Sequence, residues 1–254
     1  MWTRNLLKTN AKIVLHRTYW RAFLICICTG LLAGGGSGIF SWNAARSSGS
    51  GGSDSYSTFG QGDGFHIPPE IAGIFIVLML LGLVAGVAYS VFIAAPVLVG
   101  QSRYFMEARA GNAPFLSLFS VFGKPGYGNV VKVSFLTQLY IFLWSLLLIV
   151  PGIIKSYEYC LVPYILSERP DMDTSRALEL SRTMTDGEKW NIFVLGLSFL
   201  GWELLGMLCL GIGVLFVTPY VQATTAELYT ALRTKAIANG AVSADELPGF
   251  IAYP

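Results

Sequence analysis

The sequence predicts an all-α, polytopic transmembrane helical bundle. Of its 254 residues, 54% are hydrophobic and only 13% are charged, whereas soluble domains carry about 25% charged residues. The apolar residues also gather in blocks of about 15 to 30, a length that spans a hydrocarbon core. These two observations exclude an ordinary soluble domain, and they favour several membrane-spanning helices.

The N-terminal segment is basic and contains no acidic residue before the first apolar block. Its cations are Arg4, Lys8, Lys12, Arg17 and Arg21. Because apolar residues recur between them near helical spacing, the segment predicts an interfacial amphipathic helix on the inner membrane face. The apolar block 20–40 follows as the first predicted span. Residues 41–66 are rich in Gly and Ser, which predicts a flexible outer loop.

The central part of the chain contains two long apolar blocks. The first, 71–99, follows Pro68-Pro69 and is long enough to span with tilt. The second runs over about 34 residues, so one straight helix would measure about 50 Å against a hydrocarbon core of about 30 Å. Pro151-Gly152 lies near its middle. This dipeptide predicts a tight turn between two spans, 131–150 and 152–168.

The C-terminal apolar region is also too long for one helix. Gly211-Ile212-Gly213 interrupts it, which predicts spans at 190–210 and 212–232 with a second tight turn between them. Residues 1–240 are therefore interpreted as a single transmembrane helical domain, and residues 241–254 as a C-terminal tail.

Charge decides between a four-span and a six-span topology. The six-span interpretation treats both breaks as outer turns and places residues 101–130, residues 167–189 and both termini inside. It leaves only Arg46 and Lys155 on the outer side, in agreement with the positive-inside rule. The prediction is six spans as three hairpins. A partly re-entrant helix at 152–168 or 212–224 remains open.

The sequence contains no recognisable catalytic or metal-binding pattern. Its two histidines, His16 and His66, are predicted to face opposite sides of the membrane, so they cannot share one site. HExxH, CxxC, GxSxG and P-loop patterns are absent. We therefore expect no enzyme activity, no cofactor and no metal. The net charge of +2 predicts no partnership with nucleic acid.

Three ionisable residues inside predicted spans are candidate functional residues, because an intramembrane charge is costly unless it has a role. They are Glu203, Lys155 and Glu158. Lys155 and Glu158 are three residues apart and could pair on one helix face, either as an interfacial ion pair or as part of a pathway. Glu203 could face a neighbouring helix, a polar cavity or an oligomer contact.

Several stretches resemble one family of bacterial membrane proteins. They are residues 143–157, 162–166, 177–184, 199–202 and 219–224. Together they look like a family catalogued as a domain of unknown function (number 975), and the resemblance covers about residues 5–235. It implies a mostly helical protein of the bacterial cytoplasmic membrane. The family brings no catalytic motif, so no functional residue is carried over.

Three functions are compatible with these observations. The first is a non-enzymatic scaffold, accessory subunit or envelope or peptide-tolerance factor that acts through helix packing and inner-face contacts. The second is a small oligomeric transporter or channel that uses Glu203 and the pair Lys155 and Glu158. The third is a lipid-binding protein. The expected partners are membrane lipids and either another protein or further copies of the chain.

Overall fold

All regular secondary structure described by the computed structural model is helical. The structure describes residues 2–33, 69–111, 114–123, 125–208 and 212–250. The α-helices are α1 (Arg4–Ala33), α2 (Pro69–Tyr89), α3 (Ala95–Arg109), α4 (Tyr127–Leu147), α5 (Ile149–Glu158), α6 (Val162–Glu168), α7 (Thr174–Thr185), α8 (Lys189–Leu208) and α9 (Ile212–Ala238). The predicted all-α class is confirmed. The predicted outer loop 41–66 lies outside the described residues.

The first helix joins two segments that the sequence analysis separated. The predicted surface helix and the first predicted span form one helix, α1, as far as Ala33. One face of α1 packs along α9 in the opposite direction: Asn10 approaches Glu227, and the Phe23 ring stacks on Phe216 at 4.9 Å. This packing continues through both segments, which explains why α1 does not break between them.

Helices α2 and α3 are continuous through a π-helical turn, Ser90–Ala94. The turn precedes Pro96, which has no N–H to donate to the carbonyl of Phe92. The Tyr127 hydroxyl donates to that carbonyl instead, at 2.6 Å. A π-helical turn next to a proline is a common way to absorb the missing helical hydrogen bond, and here a tyrosine from α4 satisfies the free oxygen.

The turn predicted at Pro151-Gly152 falls slightly earlier, at Leu148. This residue is extended, with φ −157° and ψ 139°, between α4 and α5. Pro151 lies in the first turn of α5, where a missing N–H costs nothing. A side chain at Gly152 would overlap Ser145, so the glycine allows α5 to pack closely on α4.

Three described helices are long and apolar enough to cross a membrane. They are Ile74–Arg109, Tyr127–Leu147 and Lys189–Leu208. The region predicted as one span, 152–168, instead forms the short helices α5 and α6, which are separated near Cys160. The described part of the chain therefore supports a membrane protein, and the count of six spans stays a prediction.

Buried and exposed apolar residues occupy different parts of the bundle. The core is formed by one face of α1 together with α3, α6, α7, the first halves of α4 and α8 and the second half of α9. Exposed large apolar side chains concentrate on α2 and on the C-terminal halves of α4 and α8. The molecule thus combines a packed helical base with apolar helices that need lipid or another protein around them.

The segment that follows α9 belongs to the packed base as far as residue 250. Val242 and Leu247 are buried in the core, and the Arg233 Nε donates to the carbonyl of Leu247 at 3.1 Å. Residues 242–250 therefore pack on the helices, and the boundary predicted at residue 241 stays a prediction. Two isolated apolar residues in a short polar stretch give no periodicity from which their burial could be predicted.

The ion pair between Arg176 and Glu246 ties this segment to α7. The Arg176 Nε lies 2.6 Å from Glu246 Oε1, and its Nη2 donates to Oε2 at 2.9 Å. Hydrogen bonding from Arg176 holds the pKa of Glu246 below its ordinary value. Since the folded pKa is lowered, the pair stabilises the docked segment above the ordinary glutamate pKa of about 4.3. That stabilisation is lost as the pH falls through the lower, folded value.

We therefore expect the C-terminal segment to become mobile as the pH falls below about 4. A spin label on Ala244→Cys should report this by electron paramagnetic resonance, because Ala244 is exposed and lies beside the ion pair. Glu246→Gln should show increased mobility already at neutral pH and a smaller change with pH. A mobility that falls with decreasing pH, or an unchanged pH profile in Glu246→Gln, would contradict this prediction.

Candidate functional site

A buried carboxylate with two lysines lies where α5 meets α8. The Lys155 Nζ is 2.5 Å from Glu158 Oε2, and the Lys189 Nζ binds the other oxygen, Oε1. The Glu158 side chain is only 5% exposed. The pairing expected from the three-residue spacing of Lys155 and Glu158 is present, and Lys189 adds a second cation. We call these three residues the Glu158 triad.

The local helix geometry explains why Glu158 needs two cations. It is the last residue of α5, where the negative end of the helix dipole disfavours a carboxylate. Lys155, in the last turn of the same helix, has the favourable charge there. Its ammonium group also lies 5.5 Å from the centre of the Trp144 ring, at a distance typical of a cation–π interaction.

The triad connects four helices. Lys155 and Glu158 belong to α5, Lys189 begins α8, and Trp144 belongs to α4. From α7, the Ser181 hydroxyl donates to the backbone carbonyl of Glu158 at 2.6 Å. Both carboxylate oxygens of Glu158 are engaged by ammonium groups, so this carboxylate is poorly placed to accept a proton from a substrate. The arrangement suits a charged structural junction.

Glu203 does not join the triad. It lies on α8, fourteen residues after Lys189, which corresponds to about 21 Å along the helix axis. Its side chain is half-buried, and the neighbouring Trp202 is exposed. The structure therefore brings two of the three candidate residues together and places the third in a different part of the bundle.

Lys189 and a second buried carboxylate are polar groups that the sequence analysis did not assign to a site. Glu227 on α9 is buried, and its Oε1 lies 2.7 Å from the Nε of Arg109 on α3. The Asn10 amide from α1 approaches its other oxygen at 3.5 Å. The partners in these contacts are 31 to 217 positions apart, so no local spacing could have indicated them.

A small cavity lies beside the C-terminal segment at the base. It has a volume of about 180 Å³, and its lining includes Arg109, Glu168, Arg233 and Phe250. The Arg233 Nε is 3.6 Å from Glu168 Oε2, and the backbone N–H of Gly249 donates to the same oxygen at 3.1 Å. Glu168 Oε2 is thus paired within the chain, whereas its Oε1 is buried without a hydrogen-bond partner in the described part of the chain. Among the described residues, no three His, Cys, Asp or Glu side chains gather into a metal site.

Comparison with known proteins gives a family and no characterised relative. The family described as "Protein of unknown function (DUF975)" matches residues 65–236. No curated protein and no solved structure matches the chain. The match includes every helix from α2 to α8 and most of α9, and it therefore contains the whole Glu158 triad. Since it spans well over half of the sequence, the chain belongs to the DUF975 family.

Proposed function

We propose that the protein is a non-enzymatic integral membrane scaffold or accessory protein that binds a helix of another membrane protein through α2. The observation that carries the proposal is the exposure of α2. Every residue from Ile74 to Tyr89 is exposed, and the helix extends away from the packed base. A helix that is apolar on all sides needs an apolar environment all around it.

The glycines of α2 favour a protein neighbour on one side. Gly82 and Gly86 are four residues apart on the same face, and nothing lies within 4 Å of a Cβ built at either position. A small-xxx-small pair lets another helix approach closely, and van der Waals packing then replaces lipid contacts. Phe75 lies on the same face, since seven residues equal about two helical turns.

We further propose six crossings as three hairpins in a bacterial cytoplasmic membrane, with both termini inside. The distribution of Lys and Arg in the sequence supports this orientation. The close return of α5 onto α4 after Leu148 is consistent with an outer turn. The ion pairs of Glu158 with Lys155 and Lys189 place Lys155 at the level of the start of α8, so in this orientation Lys155 lies towards the inner side and not on the outer side that the sequence analysis assigned to it. An impermeant thiol reagent should label Ala244→Cys from the inner side alone, and labelling from the outer side would exclude this orientation.

A photo-crosslinking pair tests the scaffold function. With benzoylphenylalanine in place of Phe75, we expect a specific protein adduct in cells that produce the protein at its natural level. The partner is then identified by mass spectrometry. With the same group in place of Val84, which lies about 200° around the helix from Gly82, we expect mainly lipid adducts. The two positions have similar exposure, so accessibility alone cannot explain a difference.

Glycine substitution provides the matched test of the binding face. Gly86→Leu should weaken the Phe75 adduct at least fivefold, because the leucine side chain fills the space that the partner helix would occupy. Ala88→Leu adds a comparable side chain about 200° away from Gly86 and should leave the adduct unchanged. The proposal fails if neither position gives a protein adduct, or if both substitutions have the same effect.

The transporter alternative receives less support. It requires Glu203 and the Glu158 triad to act on one pathway, yet about 21 Å along α8 separates Glu203 from Lys189. Lys189 is itself bound to Glu158. The lipid-binding alternative, in which an acyl chain is held between the hairpins, stays a prediction.

A further inference from the structure

The cations of α1 form no ion pair with a described residue, unlike many cations elsewhere in the described chain. Eight ion pairs occur among the described residues, and none of them includes a residue of α1. The α1 cations are Arg4, Lys8, Lys12, Arg17 and Arg21. Glu227 contacts Asn10 of α1, but its other oxygen is bound by Arg109. A row of cations without acids is therefore presented along one helix.

Helix α1 is apolar on two opposite sides. One side packs against α9 and α3 and buries small and aliphatic residues, including Leu7, Ala11 and Leu15. The other side is exposed and carries a second apolar stripe: Leu6, Ile13, Trp20, Leu24 and Leu31. Most of these residues are seven apart, which keeps them on one face. Trp20 is 71% exposed, whereas tryptophan side chains are highly buried on average in soluble proteins.

The cations flank this exposed stripe on both sides. At 100° per residue, Lys12 lies on one side of Ile13 and Trp20, whereas Arg17 and Arg21 lie on the other. All three cations are exposed. An apolar stripe with tryptophan, bordered by long basic side chains, is the pattern of a helix in the headgroup region of a membrane. Long basic side chains can extend to phosphates while their stems cover apolar surface.

We propose that the outer face of α1 binds the headgroup region of an anionic phospholipid leaflet. Ile13 and Trp20 enter the boundary of the acyl chains, and Lys12, Arg17 and Arg21 contact lipid phosphates. The occupant is an anionic lipid surface rather than a protein, because the face combines positive charge that no described acid pairs with and an apolar stripe only one residue wide. This surface is separate from the glycine face of α2, so it does not depend on the proposed scaffold function.

Lys8, on the packed side of α1, gains no negative partner from the contacts described for it. Burial, followed by the nearby charges of Arg4 and Lys12, lowers the pKa of Lys8. The Lys8 ammonium lies 4.5 Å from the centre of the Phe199 ring, a contact that fixes its side chain without supplying a negative charge. An anionic headgroup at this end of α1 would relieve the repulsion among these cations.

The fluorescence of Trp20 can measure lipid preference directly in nanodiscs. Two preparations contain the same mixture of phosphatidylglycerol and phosphatidylcholine, and bromine is carried by the acyl chains of one lipid or the other. The contribution of Trp20 is the difference between the wild type and Trp20→Phe. We expect stronger quenching by brominated phosphatidylglycerol. The preference should decline as salt increases, because headgroup electrostatics are screened within a Debye length.

Charge removal then tests the named residues. Arg17→Gln combined with Arg21→Gln should lower the preference for phosphatidylglycerol about fivefold or more at low ionic strength, given the usual contribution of a cation at an anionic surface. Arg169→Gln combined with Arg182→Gln removes the same charge from exposed positions outside α1 and should leave the preference unchanged. Neither pair of substitutions breaks an ion pair among the described residues. Arg169→Gln removes one hydrogen bond, from the Arg169 Nη2 to the carbonyl of Asp245, so a monodisperse elution peak is required of both variants before their lipid preferences are compared.

Two results would overturn the proposal. One is equal quenching of wild-type Trp20 by the two brominated lipids at low salt, which needs no variant. The other is an equal loss of preference in the two double variants, which would indicate an effect of net charge alone. Failure of the α2 crosslinking experiment would not affect either measurement, so the two proposals can be judged independently.

Discussion

Gly100→Ala should destabilise the protein by about 3 kcal/mol, near the upper end of the usual cost of overpacking a core. Gly100 is buried in α3, where the backbone of the 3₁₀ segment Phe115–Phe119 crosses it. An added Cβ would overlap the carbonyl oxygen of Leu118 and would lie 2.7 Å from its carbonyl carbon. Because the obstacle is backbone, no rotation of a side chain can relieve the overlap. The segment must move away from α3.

Detergent unfolding followed by tryptophan fluorescence measures this loss. Gly128→Ala is the matched control: Gly128 is exposed near the start of α4, and nothing lies within 4 Å of an added Cβ. It should be neutral or stabilising by up to about 1 kcal/mol, because alanine favours helix more than glycine does. Equal stability of Gly100→Ala and wild type would show that Leu118 does not pack on Gly100 as the structure describes.

The sequence was sufficient for the features that depend on local pattern. Composition and block length predicted the all-α class, and the apolar blocks predicted helices α2, α4 and α8. The break inside the long central block was predicted within a few residues, because proline and glycine are strong local signals. The exact position, Leu148, was not predictable, since Pro151 fits the first helical turn equally well.

Features that depend on distant parts of the chain could not be predicted in the same way. Gly100 resembles any other glycine in an apolar helix until the segment around Leu118 crosses it. Lys189 ends the predicted inner segment 167–189 and has no sequence feature that links it to Glu158. The buried Leu247 follows an acidic, polar stretch. In each case the decisive neighbour comes from tertiary packing, for which one sequence gives no spacing rule.

The candidate site also combines a feature that local spacing predicted with features that depend on tertiary packing. The pairing of Lys155 with Glu158 follows from helical geometry and could be predicted. Burial of that pair depends on α7 and α8, which contribute Ser181 and Lys189. The sequence suggested an ion pair of two residues at the membrane interface. In the structure the same pair contacts four helices, which changes its interpretation. A charge in a predicted span thus pointed to Glu158, and its contacts with Lys155, Lys189 and Ser181 favour an architectural role, which stays a prediction.

Glu158→Ala should cost about 2 kcal/mol or more in the free energy of unfolding, because it leaves two half-buried lysines together without an anion. Repulsion between the Lys155 and Lys189 ammonium groups should separate α5 from α8. The melting temperature of the detergent-purified protein, followed by the loss of its monodisperse elution peak, measures this effect. Glu158→Gln should be intermediate, since the amide keeps one acceptor for the lysines but removes the negative charge.

The pair Arg176 and Glu179 provides a control with the same three-residue spacing on an exposed helix face. The Glu179 side chain is 63% exposed, so Glu179→Ala should cost less than about 1 kcal/mol. A further variant, in which Glu158→Leu is combined with Lys155→Met and Lys189→Met, should recover most of the stability lost in Glu158→Ala, because apolar residues can replace a buried ion cluster. Recovery would establish the triad as structural. If the triple variant is as unstable as Glu158→Ala, the charges themselves are required, and the architectural interpretation of Glu158 is wrong.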